Sequence, residues 1–171
     1  GAADIDGALS GVTNLSITGA ANIGADVTTS GTQTYTDVVT LSGSDRTLTG
    51  STVNTRATLA GGGNALTITG AANIDGAYSG ITNLSVNGAS NIGADITTTG
   101  TQTYSGAVTL SSGDRTLTGP TVITRSTLVG GGNALTIMGA AGIDGAVSGI
   151  TNLSINGASN IGADITTTGA Q

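Results

Sequence analysis

Along most of the chain, single apolar residues alternate with Thr, Ser or Asn. Asn83-Leu84-Ser85-Val86-Asn87, Ala94-Asp95-Ile96-Thr97-Thr98, Val108-Thr109-Leu110 and Ala134-Leu135-Thr136-Ile137 all carry the pattern. A period of two sends successive side chains to opposite faces, so each segment predicts a short strand with one buried side. Thr, Val and Ile suit a pleated strand. Gly and Asn interrupt the pattern every few residues and predict turns. No long stretch joins helical spacing to helix-forming residues, and each Gly would cost a helix about 1 kcal/mol.

The pattern itself recurs. Gly1-Ala2-Ala3-Asp4-Ile5-Asp6-Gly7 returns as Gly70-Ala71-Ala72-Asn73-Ile74-Asp75-Gly76 and again over 139–145, so a long period runs without gaps from Gly1 to Gly70 to Gly139. Segments 1–69 and 70–138 are identical at 51 positions, and 139–171 matches 70–102 at 29 of 33. The chain therefore reads as one continuous array: copy one 1–69, copy two 70–138, and copy three 139–171. Copy three breaks off at Gln171, inside the motif that reads Thr101-Gln102-Thr103-Tyr104 in copy two, which suggests a piece of a longer array. Val12 corresponds to Ile81, Ile17 to Val86 and Val27 to Ile96, which keeps β-branched sites filled. The site of Leu9, Tyr78 and Val147 changes size freely.

A shorter echo lies inside the long period. Leu48, Leu66 and Leu84 are evenly spaced, Ile68, Val86 and Tyr104 keep the same spacing, and so do Leu110 and Leu128. Gly70-Ala71-Ala72-Asn73-Ile74 reappears at that step as Gly88-Ala89-Ser90-Asn91-Ile92. Such an echo predicts an all-β parallel β-solenoid of about four short coils per repeat, one of them shorter than the others. Three longer coils per repeat is the competing partition. Stacked at about 4.8 Å, about ten coils would make a rod near 48 Å long. An array of small β-sandwich domains is the alternative fold, and the inner echo weighs against it because neighbouring sandwich strands do not repeat one another.

Composition sharpens this picture. Gly, Thr, Ser and Asn number 30, 32, 16 and 12, just over half of the 171 residues. Ile, Leu and Val total 37, little for a globular core but enough for a slim solenoid whose neighbouring coils complete each other. Net charge is only −6, and the apolar residues sit at fixed places, which argues against disorder. The absence of Cys rules out disulfides and thiolate metal sites. Four Arg and no Lys give no basic footprint for nucleic acid. No apolar run approaches the roughly 20 residues that span a bilayer.

The segment Ile96-Thr97-Thr98-Thr99-Gly100-Thr101-Gln102-Thr103-Tyr104-Ser105-Gly106-Ala107-Val108-Thr109-Leu110 resembles one frequent in filamentous-haemagglutinin-like bacterial exoproteins. Gly130-Gly131-Gly132-Asn133-Ala134-Leu135-Thr136-Ile137 is similar to another. The resemblance covers the whole repeat. It implies a right-handed parallel β-helix, export by two-partner or autotransporter-type secretion, and a place on the cell surface or outside it as adhesin stalk, biofilm component or fibre.

Several motifs invite chemistry, and each has a plainer reading. Asp4-Ile5-Asp6-Gly7 suggests calcium, but Asn73 and Gly142 replace Asp4 in the other copies. A turn in which Asp6, Asp75 and Asp144 cap backbone amides is the plainer expectation. Gly61-Gly62-Gly63-Asn64 echoes a calcium nonapeptide without its Asp, so a tight corner is expected. Asn14, Asn83 and Asn152 each open an Asn-Leu-Ser sequon, and either N-glycosylation or an Asn holding a corner is open there. Asp45-Arg46 with Arg56, and Asp114-Arg115 with Arg125, hold all the positive charge and could suggest a polysaccharide-cleaving β-helix enzyme. An exposed ion pair is the plainer account, because no second carboxylate in a distinct environment accompanies the set. Thr97-Thr98-Thr99 and Thr116-Leu117-Thr118 raise an ice-binding face, but their spacing is not strict. Tyr35 and Tyr104 are too sparse for a stacking platform and are expected in the core or at a corner.

The sequence thus predicts a structural rod or stalk of a secreted or surface fibre. It predicts no catalytic, metal or cofactor residues. The expected partners are other rods, end to end or side by side, and host or matrix molecules met by other parts of a longer chain. Nucleic acid and membrane insertion are not expected. A carbohydrate-active β-helix enzyme and an ice-binding solenoid are the alternatives.

Overall fold

The computed structural model describes residues 1–171. It contains strands and turns and no helix. Every strand pairing is parallel. The predicted strands are present: Leu84–Val86, Ile96–Thr98 and Val108–Leu110 as short rungs, and Leu135–Ile143 as a longer one that turns a corner. The chain is a parallel β-solenoid of about nine coils.

Three columns of inward side chains define three faces. The first runs Ala3, Ala21, Val39, Leu59, Tyr78, Ile96, Leu117, Ile137, Ile155. The second runs Leu9, Val27, Leu48, Ile68, Val86, Tyr104, Thr124, Ile143, Ile161. The third runs Leu15, Gln33, Val53, Ala72, Ser90, Val108, Leu128, Val147, Ile165. Between the two end coils these columns are buried almost throughout. Together with inward residues beside them, such as Ile23, Leu84 and Ile150, they form one continuous apolar core of 33 residues. Slim as it is, the core is closed to solvent along its length, because each coil roofs the one below.

The coil is longer than the sequence echo suggests. The second column climbs from Leu9 to Ile161 in eight steps, where the echo would carry Leu9 only to Leu153. The chain therefore winds nine times, not ten, a rise of about 43 Å at 4.8 Å per coil. Corner loops account for the difference. Ser42 to Asp45 and Gly61 to Ala65 bulge outward, so Leu48 stacks on Ile68 and not on Leu66, and Leu66 stacks on Arg46. Leu128 likewise stacks on Val108 and not on Leu110. Ile68, Val86 and Tyr104 do stack in turn, as the echo predicts.

This coil length does not divide the repeat. Eleven rungs separate Ala3 from its equivalent Ala72, and Ala72 lies in the Leu15 column. Tyr78, the equivalent of Leu9, lies in the Ala3 column. Eleven rungs at three to a coil make three and two-thirds coils. Each copy is therefore turned by a third of a circle relative to the last. Equivalent residues never stack on one another; they appear on successive faces. The partition lies between three coils and four, nearer four. The similar burial of Val27 and Ile96, or of Ile17 and Val86, follows from three faces that are built alike.

Glycine fits where corners are tight. Gly62 and Gly63, with Gly131 and Gly132, have φ between 59° and 85°. Gly70 and Gly139 turn the chain from one face to the next, and a Cβ on either would run into the carbonyl oxygen of Gly50 or Gly119 in the coil below. Gly43 has φ 79°, and its counterpart Ser112 is held at φ 61°, the one non-glycine residue in the left-handed region.

Candidate functional site

Most polar side chains with a defined partner hold corners. Asn14 Oδ1 accepts the Thr32 amide at 2.8 Å, Asn83 Oδ1 the Thr101 amide at 2.8 Å, and Asn152 Oδ1 the Ala170 amide at 2.8 Å. The sequon asparagines are thus corner staples in all three copies, each reaching the next coil. Asp residues do the same: Asp26 and Asp95 accept from Thr47 and Thr116, and Asp45 and Asp114 from Ala65 and Ala134, at 2.8–2.9 Å. These bonds satisfy amides that the sheet ladder leaves free where the chain turns.

Two expectations about charge change. Asp6, Asp75 and Asp144 were expected to cap amides; the staples come instead from Asp26, Asp45, Asp95 and Asp114, whose corners bring an amide of the next coil within reach. Asp45 does not pair with Arg46. Arg46 lies 3.8 Å from Asp26 and Arg115 lies 3.9 Å from Asp95, one coil below in each case. Both arginine side chains are largely covered, 10% and 15% exposed, and their main bonds go to the corner loops. Arg46 donates to Ser42 O and Ser44 Oγ; Arg115 donates to Gly113 O, Ser112 O and Gly93 O. Their role is to clamp the bulged loops. Arg56 and Arg125 are exposed and unpaired.

The Thr-Gln-Thr-Tyr motif supplies the buried polar network. Gln33 and Gln102 point inward and are fully buried. Gln102 Nε2 donates to the carbonyls of Thr118 at 2.8 Å and Ile96 at 3.3 Å, and Tyr104 OH donates to its Oε1 at 3.0 Å. Gln33 repeats this with Thr49, Val27 and Tyr35. The amide fills the gap where the coil is longest, from Val27 to Leu48 and from Ile96 to Leu117. Burial pushes the phenols of Tyr35, Tyr78 and Tyr104 well above their ordinary value. Tyr35 and Tyr104 are core residues, as expected. Gln in a Thr-rich alternating run reads as outward, so its inward role was not visible in the sequence; the signal available was its recurrence two residues before Tyr.

The triple-Gly stretches are tight corners, as expected, locked by Asn64 Nδ2 donating to Gly61 O and Asn133 Nδ2 to Gly130 O. No three acidic side chains converge anywhere on the rod. Thr47 and Thr49 stack on Thr67 and Thr69, a two-by-two array on the second face. In the next copy Met138 takes the fourth place, and Thr97-Thr98-Thr99 contributes only Thr97 to such a column, because Thr98 points inward.

One hollow stands out on the shaft. On the second face Ala140, Gly142 and Asp144 form a row of small side chains. It lies between the row Thr121, Ile123, Arg125 below and Asn160 above, and the slot between them measures about 470 Å³. The matching place on the third face, one copy earlier, is closed: Asn73 stands where Gly142 does and donates to Asn54 Oδ1 at 2.7 Å. A second, smaller hollow, lined by Leu153, Ile155 and Ile165, is the face of the last coil.

No protein-family model, curated protein or solved structure matches the chain. The reading of this rod therefore rests on its own residues.

Proposed function

We propose that the chain is a segment of a stiff structural shaft, carried by a secreted or cell-surface fibre, that holds other parts of a longer protein away from a surface or builds a matrix. The observation that carries this is the unbroken parallel ladder through all nine coils, with each copy flowing into the next inside a single core. Stiffness follows, because bending such a rod would stretch backbone hydrogen bonds on one side while all three faces are tied alike. Solubility with few charges follows from outward Thr, Ser and Asn. The likeness to filamentous-haemagglutinin-like repeats adds the expectation of bacterial export and adhesion. Lateral or end-to-end association of rods belongs to the same reading, since a coil face without a neighbour is an open sheet edge.

Cryo-electron microscopy of the native material tests this reading. Thin, straight rods with an axial spacing of about 4.8 Å support it. A chain of beads joined by flexible links, or a compact globular particle, would remove it.

A further inference from the structure

We propose that the slot on the second face is a binding site for a saccharide ring, so that the shaft itself carries a ligand once where its copies diverge. The inference does not depend on how the rod is exported or where it is displayed. It starts from four of the differences between copies. Pro120 stands for Ser51, Ile123 for Asn54, Met138 for Thr69 and Gly142 for Asn73. All four concern the outer surface of two successive coils, and each exchanges a polar side chain for a less polar or absent one; Ile123 and Gly142 line the slot, while Pro120 and Met138 lie outside its lining. Ile123 and Gly142 are register partners, and Met138 ends the strand segment that leads through Gly139 into Ala140. A Cβ on Gly142 would meet only Ile123, at 3.7–3.8 Å, so the site is roomy and the glycine is not required by the backbone.

The result is a floor of Ala140 and Gly142 flanked by Ile123, with Arg125, Asp144 and Asn160 on the rim. Its volume of about 470 Å³ lies in the range of small-ligand sites. Arg125 contributes five donors with no protein partner, Asp144 accepts only, and Asn160 does both. Each of these side chains is exposed and makes no hydrogen bond within the protein. The shape narrows the occupant. A hollow does not fit the same hollow on a second rod. An extended peptide finds no free backbone donors on a sheet face whose ladder is already paired, so its own amides would go unmet. A pyranose ring lays its C–H face on the small apolar floor and sends its hydroxyls to the rim. With no aromatic side chain to stack on, affinity is expected to be weak, on the order of millimolar.

The first junction supplies the control. Ile123→Asn with Gly142→Asn rebuilds the Asn54–Asn73 seam on the same backbone, so the variant is expected to fold. Asn54→Ile with Asn73→Gly opens the matching slot beside Arg56 and Asp75. The ¹⁵N-labelled chain is titrated by NMR with cellobiose and with a galacturonate disaccharide. We expect saturable shifts confined to residues 121–125, 140–144 and 158–160, lost in the Ile123→Asn/Gly142→Asn variant. A second set is expected around residues 52–56 and 71–75 in the Asn54→Ile/Asn73→Gly variant. A preference for the galacturonate disaccharide that Arg125→Ala abolishes would assign an acidic sugar, and equal response to both a neutral one. Absence of saturable shifts with either sugar, or shifts that persist when the slot is refilled, overturns the proposal.

Discussion

The junction between copies one and two and the junction between copies two and three share one backbone path and differ in their seams. At the first, Thr55 Oγ1 and Tyr78 OH lie 2.8 Å apart inside the core, and Asn73 donates to Asn54 on the surface. At the second, Val147 stands for Tyr78, and the Thr124 hydroxyl, equally buried, has no protein partner. Outside, Ile123 and Gly142 replace the asparagine pair. Register is nevertheless conserved in form: Val53 stacks on Ala72, and their equivalents Val122 and Ala141 stack in the same way. The ladder and the inward columns therefore fix the fold, while individual side-chain bonds add stability at one junction and are dispensable at the other. Freed from holding register, the outer surface can change from a closed seam to an open slot.

Importing the second junction's residue into the first gives the largest expected effect. Tyr78→Val removes a fully buried ring and leaves Thr55 Oγ1 only its 3.4 Å bond to the Asn73 carbonyl, a loss of about 3 kcal/mol, most of it from the cavity. Chemical denaturation of the two chains measures it.

Alkaline pH comes next. Burial first, and then the neighbouring Tyr78, raises the phenols of Tyr35 and Tyr104; burial and Asp75 raise Tyr78, partly offset by its bond with Thr55. Folded values above the unfolded one of about 10 mean that these tyrosines bind a proton more tightly when folded. Their stabilising contribution is complete below about pH 10 and is lost as pH climbs from there through the folded values. Thermal melting followed across about pH 9–12 should fall steeply above about pH 10, and Tyr78→Phe should make the fall shallower.

The two threonines should respond with opposite sign. Thr55→Val strands Tyr78 OH and is expected to cost about 1–2 kcal/mol. Thr124→Val removes a hydroxyl that has no partner and is expected to be neutral or to stabilise by about 1 kcal/mol. Equal losses in denaturation midpoints would show that the Thr55–Tyr78 bond is not what separates the junctions.

Ser112→Gly gives the smallest effect. The serine holds a φ of 61° where copy one has Gly43, so relief of about 0.5–1 kcal/mol is expected, with no gain from Gly43→Ser. The same denaturation curves read it.

Much of this was legible beforehand. The long period, the strands, the corner glycines and the stacking of Leu66 on Leu84 or Ala72 on Ser90 follow the sequence echo directly. The coil length did not, because the loops at Ser42 to Asp45 and Gly61 to Ala65 add residues outside the ladder. Leu48 and Leu66 keep the spacing of the echo, yet one stacks on Ile68 and the other on Arg46. The inward glutamines were hidden because a polar residue between threonines alternates like any other. The ion pairs were misplaced because Arg46 meets an Asp from the coil below and not its chain neighbour. The slot was invisible for a simpler reason: Ile123 and Gly142 are far apart along the chain, and only the register makes them neighbours.

The turn of one-third of a circle per copy is the claim most open to a direct distance measurement. Thr34 and Thr109 share a column through Asn54, Asn73 and Asn91, four coils apart, whereas Thr103 is the sequence equivalent of Thr34 on a different face. The chain has no Cys, so spin labels can be placed at Thr34→Cys with Thr109→Cys, and at Thr34→Cys with Thr103→Cys. Double electron–electron resonance should give the shorter distance for Thr34–Thr109, set by about 19 Å of backbone rise along one face. A shorter distance for Thr34–Thr103 would mean that equivalent residues line up every four coils, and would contradict the account.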